Sequence, residues 1–92
     1  MMQEQAELIA LEALTFIAED EQAFIAFLRL SGFDRETLTA AAGDPSVLGS
    51  VLDFLLQDEK RLLAFCDSRN MPPDRPARAR LSLPGAEYLK NI

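Results

Sequence analysis

Ninety-two residues, 49% of them apolar and 26% charged, are enough for one small folded body around one core and exclude a disordered chain. No apolar run approaches the ~20 residues that span a bilayer, and Gln3, Glu4 and Glu7 stand where a signal peptide needs basic and then apolar residues, so the expectation is a cytoplasmic protein with no membrane role. With no histidine, no tryptophan and a single cysteine, the chain cannot build a histidine-based triad, a thiolate zinc cage or an internal disulfide.

In chain order, the first periodic segment sets Ile9, Ala13, Phe16 and Ile17, with Ala6, Ala10 and Leu14 beside them, along one side of a helix. Glu4, Glu12, Thr15 and Glu19 fall opposite. Asp20, Asp34, Asp44 and Asp58 each precede a new helical pattern, where a carboxylate accepts the unpaired amides of a first turn and meets the positive end of the helix dipole. Pro45 after Asp44 strengthens that start, because proline at the first helical position forgoes no helical hydrogen bond. Stops are marked by Gly32, by Gly43 and by Asn70 before Pro72 and Pro73. The pattern predicts helices over 4–19, 21–31, 35–42, 45–57 and 59–69, with a less marked sixth over 74–80. The one period-two fragment, Leu81-Ser82-Leu83, ends at Pro84-Gly85 and makes no strand.

The chain also nearly repeats itself at an offset of 38 residues. Laying Leu14–Phe33 over Leu52–Met71 matches Leu14/Leu52, Phe16/Phe54, Asp20/Asp58, Glu21/Glu59, Ala26/Ala64 and Phe27/Phe65. Gly32 falls over Asn70, the two residue types that tolerate a left-handed helix end. The expected fold is therefore all-α: a compact bundle of five or six short helices, built as two similar three-helix halves in tandem. One domain covers 1–85, with halves at about 5–43 and 45–80, and a tail covers 86–92, including Tyr88, Leu89 and Ile92. The second helix of each half carries a wide apolar arc, Phe24, Ile25, Phe27, Leu28 and Leu30 in one and Leu62, Leu63, Phe65 and Cys66 in the other, which predicts that both are central.

Chemistry is sparse. Cys66 lies within an apolar face and reads as a core residue without a reactive thiolate. The pairs Asp20-Glu21 and Asp58-Glu59 are the best candidates for acid/base or metal work, yet helix capping accounts for both, so no catalytic, cofactor-binding or metal-ligating residue is assigned. Gly49, inside the fourth helix, reads as a place of close approach. Residues 24–42 resemble a helix-turn-helix around Gly32, which makes nucleic-acid binding the alternative function. Against it, residues 1–46 hold nine acids and two bases, a field opposed to phosphate.

The residues Ala13-Leu14-Thr15-Phe16-Ile17-Ala18 before Asp20, Phe27-Leu28 to Gly32-Phe33, Ala41-Ala42-Gly43-Asp44-Pro45, Val51-Leu52-Asp53-Phe54-Leu55-Leu56 with Asp58-Glu59, and Ala77-Arg78-Ala79-Arg80 before Leu83-Pro84-Gly85 resemble a small family of short helical proteins. That family is found mainly in alphaproteobacteria and is catalogued as a domain of unknown function; the resemblance spans about residues 6–85. It implies a bacterial cytosolic protein without an assigned activity, and it carries over no functional residue.

The functional expectation is a non-enzymatic module that acts by contact with another protein, with a homodimer left open and no cofactor. Leu8 and Leu11, toward the polar flank of the first helix, are candidate contact residues, since so small a body has difficulty hiding all its large apolar side chains. Arg69, Arg75, Arg78 and Arg80, crowded into twelve residues, are the others, as a basic segment able to dock an acidic partner.

Overall fold

Six helices follow one another in the computed structural model, which describes residues 1–85: α1 (Gln3–Ala18), α2 (Glu21–Ser31), α3 (Arg35–Ala40), α4 (Pro45–Leu56), α5 (Glu59–Ser68) and α6 (Arg75–Leu81). All six expected helices are present, and no strand occurs among the described residues. The expected tail at 86–92, with Tyr88, Leu89 and Ile92, lies outside them.

The aspartates start the helices. Asp20 accepts hydrogen bonds from the backbone N–H groups of Gln22 and Ala23, Asp34 from Thr37, Asp44 from Ser46 and Asp58 from Arg61, at 2.7 to 3.3 Å. The Thr37 N–H, followed by the Thr37 side chain, holds the Asp34 carboxyl below its ordinary pKa of 3.8. The two long stops repeat as well. Gly32 is left-handed at φ +80°, and its N–H donates to the Leu28 carbonyl at 2.9 Å. Asn70 takes φ +55°, while Met71 N–H reaches the Cys66 carbonyl at 2.9 Å and Asn70 N–H the Asp67 carbonyl at 3.3 Å, a Schellman closure.

At the centre stands α4, with Val47, Leu48, Gly49, Val51, Leu52, Phe54 and Leu55 all buried. Asp53 is its one charged residue, so the helix is apolar almost all round and is enclosed accordingly. Across it lies α1, whose buried Ala6, Ala10 and Ala13 are small enough to bring the two backbones close. Packed on both is α6, which adds Pro76 and Ala79. Each fully buried Phe or Leu of this core contributes on the order of 2–3 kcal/mol from apolar area removed from water.

The central place predicted for the second helix of each half is corrected. Only Ala23 and Phe27 of α2 and only Phe65 and Cys66 of α5 are buried, while Ile25, Leu30 and Leu63 stand exposed. A wide apolar arc needs neighbours on two sides, and α1 and α4 occupy the middle, so α2 and α5 present just one edge of their arcs to the core. Two aromatic contacts cross between the repeated segments. Phe16 of α1 meets Phe65 of α5 edge-on at 5.5 Å, and Phe54 of α4 meets Phe27 of α2 edge-on at 5.4 Å.

Candidate functional site

Between the α1–α2 elbow and α5 runs a groove of about 490 Å³, within the size range of ligand pockets. Phe16, Ile17, Ala23 and Ala64 form its apolar floor, and Glu19, Asp20, Asp58, Lys60, Arg61 and Arg69 form its rim. The elbow exists because α1 ends in a turn in which the Asp20 N–H reaches the Ile17 carbonyl at 3.1 Å, after which Asp20 caps α2. Asp58 does the same for α5, so the two capping aspartates, predicted at separate helix starts, face one groove.

Two guanidinium groups dominate the rim. Arg61 lies over the Phe54 ring at 4.6 Å, and Arg69 lies 5.8 Å from the Phe16 ring and 5.7 Å from the Phe65 ring. Their side chains keep 24% and 28% of their surface exposed, both line the groove, and Arg69 Nη1 donates to Ser68 Oγ at 3.1 Å. Arg61 approaches Asp58 at 3.5 Å and Arg69 approaches Glu19 at 3.6 Å. These are ion contacts beyond good hydrogen-bond length.

Arg69 is thus the one basic candidate that enters the groove. Arg80 is corrected: the sequence marks it as a partner contact, yet it is 3% exposed and serves the fold. Its Nε and Nη2 donate to the two Asp53 carboxylate oxygens at 2.6 and 3.2 Å, and its Nη1 donates to the carbonyls of Leu83 and Pro84 at 3.3 and 3.1 Å. Gly49 makes room for this arrangement, since a Cβ there would stand 3.1 Å from both Arg80 Nη1 and the Pro84 carbonyl. The close approach expected at Gly49 is therefore made by a guanidinium and a carbonyl. The Arg80–Asp53 pair has no local signature, because the two residues are 27 positions apart and Arg80 sits among three other arginines.

The remaining candidates are scattered. Arg78 is exposed and pairs with Asp74 at 3.7 Å, and Arg75 is half-buried at the start of α6. Leu8 and Leu11 on α1 remain exposed, at 62% and 37%. Cys66 is buried as expected; burial first, and the negative charge of Asp74 second, push its thiol above the ordinary range, which disfavours the thiolate. Arg61 and Lys60, which sequence reasoning left out, line the groove. A signal for Arg61 was present: its counterpart at the 38-residue offset is Ala23, so the repeat departs there from small apolar to cationic.

No cluster of three metal-ligating side chains occurs among the described residues. Nor is any helix there long and apolar enough to cross a membrane. Fold and groove together define a small all-α bundle with an amphipathic surface cleft. A family model for a protein of unknown function, DUF3572, matches residues 3–86, and the chain belongs to that family. The family-level resemblance read from the sequence is therefore correct. No curated protein and no solved structure matches the chain.

Proposed function

We propose that this is a non-catalytic cytoplasmic protein–protein interaction module and that the groove between the α1–α2 elbow and α5 is its contact surface. One observation carries the reading: an apolar floor lies beneath two guanidinium groups that are held on aromatic rings, make only long contacts to carboxylates, and spend one hydrogen bond, from Arg69 to Ser68, within the chain. Aromatic and arginine side chains at a partly desolvated cleft are the composition enriched at interface hot spots. The carboxylates nearby support binding over acid/base work, since Oδ1 of Asp20 and Oδ1 of Asp58 are each engaged by first-turn amides. Exposed Leu8 and Leu11, together with Arg75 and Arg78, are secondary contact candidates in this reading.

Descent from a duplicated three-helix unit belongs to the same proposal. It is supported by the exchanged aromatic pairs, by the matched caps at Asp20 and Asp58 and by the left-handed Gly32 and Asn70. The nucleic-acid alternative gains nothing from α3, whose single arginine, Arg35, lies over the Phe24 ring at 4.8 Å in a six-residue helix.

Ala64 is exposed on the groove floor, so Ala64→Arg fills the cleft without entering the core. Quantitative capture of partners from the producing cell, wild type against A64R, tests the proposal. The expected result is loss of specific partners with the thermal midpoint unchanged. Retention of the same partners by a folded A64R would overturn it.

A further inference from the structure

We propose that Arg61 and Arg69 form a carboxylate clamp, and that the groove takes a partner segment presenting a carboxylate beside an apolar side chain. This deepens the reading of the groove as a protein-binding surface and rests on it. Planar guanidinium forks bind carboxylates through two parallel hydrogen bonds, and such bonds are worth most where the donors are held in place and partly out of water. Both conditions are met. Phe54 positions Arg61, Phe16 and Phe65 position Arg69, and each side chain is about three-quarters covered.

Most of their donors are also available: the one hydrogen bond from either guanidinium among the described residues is from Arg69 Nη1 to Ser68 Oγ at 3.1 Å. At 3.5 and 3.6 Å, Asp58 and Glu19 balance the charge of the two arginines without making a hydrogen bond to them. Arg80, by contrast, donates to four oxygens. Glu19 is 66% exposed and can swing outward when another carboxylate arrives, which keeps the local charge even. Asp58 stays behind because Arg61 N–H holds it at 3.1 Å. Asp20 receives both cap bonds on Oδ1, so its Oδ2 can accept an N–H from the incoming backbone.

The repeat supplies an internal control. A cleft of about 310 Å³ lies at α2 and α4 and shares part of the groove's lining, with Phe54 where the groove has Phe16, Gln57 where it has Glu19 and Ser31 where it has Arg69. At the positions of Arg61 and Arg69 the first half carries Ala23 and Ser31. The second helix of the first half, capped and closed like α5, therefore forms without either cation. The two arginines make the α5 groove an anion-binding surface.

The test is an NMR titration of the full chain with N-acetyl-phenylalanine and, separately, with its neutral amide. The expected result is perturbation of the Ala23, Ala64 and Arg69 amides, with the carboxylate binding at least about tenfold more tightly than the amide. In Arg61→Gln/Arg69→Gln the carboxylate should fall to the level of the amide, and in Arg61→Lys/Arg69→Lys, which keeps the charge but loses the fork, it should fall between. Equal binding of the two probes, or of neither, overturns the clamp. So does a concentration-dependent dimer of the protein alone that R61Q/R69Q abolishes, because the occupant is then a second copy. Loss of the clamp while A64R still blocks partner capture leaves the groove standing as a surface of different chemistry; a working clamp with capture indifferent to A64R does the reverse.

Discussion

Two regions of this molecule hold arginine on an otherwise apolar scaffold, and they use it in opposite ways. At the α4–α6 junction Arg80 is sealed: both Asp53 oxygens and two backbone carbonyls receive its N–H groups, and Gly49 gives it space. In the groove Arg61 and Arg69 rest on phenyl rings, and a single hydrogen bond, from Arg69 Nη1 to Ser68 Oγ at 3.1 Å, occupies their donors among the described residues. A guanidinium that has used its donors within the chain belongs to stability, and one held rigid with donors to spare belongs to recognition. Charge and sequence neighbourhood do not separate the two cases; hydrogen-bond occupancy does.

The largest expected effect breaks the sealed side. Arg80→Ala leaves two carbonyls and one carboxylate without their donor and opens a space beside Gly49. Removing one partner of a fully buried pair costs 3–5 kcal/mol; Asp53 is 41% exposed here, so the expected loss is roughly 2–3 kcal/mol. In a domain of this size that lowers the thermal midpoint by roughly 10–20 °C. A scanning calorimetry trace with a shift of less than a few degrees would remove Arg80 from the structural side of the comparison.

A smaller effect probes the same junction through its glycine. Gly49→Ala places a methyl group 3.1 Å from Arg80 Nη1 and the Pro84 carbonyl, tighter than ordinary contact, and should cost about 1–2 kcal/mol by urea denaturation. Gly43→Ala meets nothing within 4 Å and should stay within about 0.5 kcal/mol of wild type. Equal effects at the two glycines would mean that the guanidinium moves aside freely.

The smallest effect uses a carboxylate outside both regions as a reference for acid sensitivity. Hydrogen bonds from Thr37 depress the pKa of Asp34 in the folded state. Its contribution to stability is therefore fully present above the unfolded-state value and is lost as pH falls through the lower folded one. Asp34→Asn keeps the cap and removes the titration, so the decline in stability below about pH 5 should be shallower in the variant. Identical slopes would show that the Thr37 bonds do not bias protonation.

How far the sequence revealed these regions follows from what is local and what is not. Helix starts were legible because each aspartate acts within three residues of itself, and the stop at Asn70 was legible because left-handed backbone selects few residue types. The apolar arcs of α2 and α5 are wider than the edges they bury, whereas the local sign of the central place of α4 is a single charge in twelve residues. The Arg80–Asp53 pair spans 27 positions, and the groove assembles α1, α2 and α5 from distant segments. Sequence placed Arg69 and Arg80 in one basic stretch; only packing assigns them to different tasks.

The most direct test of that division is urea denaturation of R61Q/R69Q and R80A beside wild type, with N-acetyl-phenylalanine binding measured on the same samples. The account predicts that R61Q/R69Q unfolds within about 1 kcal/mol of wild type, as expected for long, partly exposed ion contacts, and loses its preference for the carboxylate. R80A is predicted to lose roughly 2–3 kcal/mol and, while folded, to keep that preference. Destabilisation of R61Q/R69Q as large as that of R80A, with the carboxylate preference intact, would contradict it.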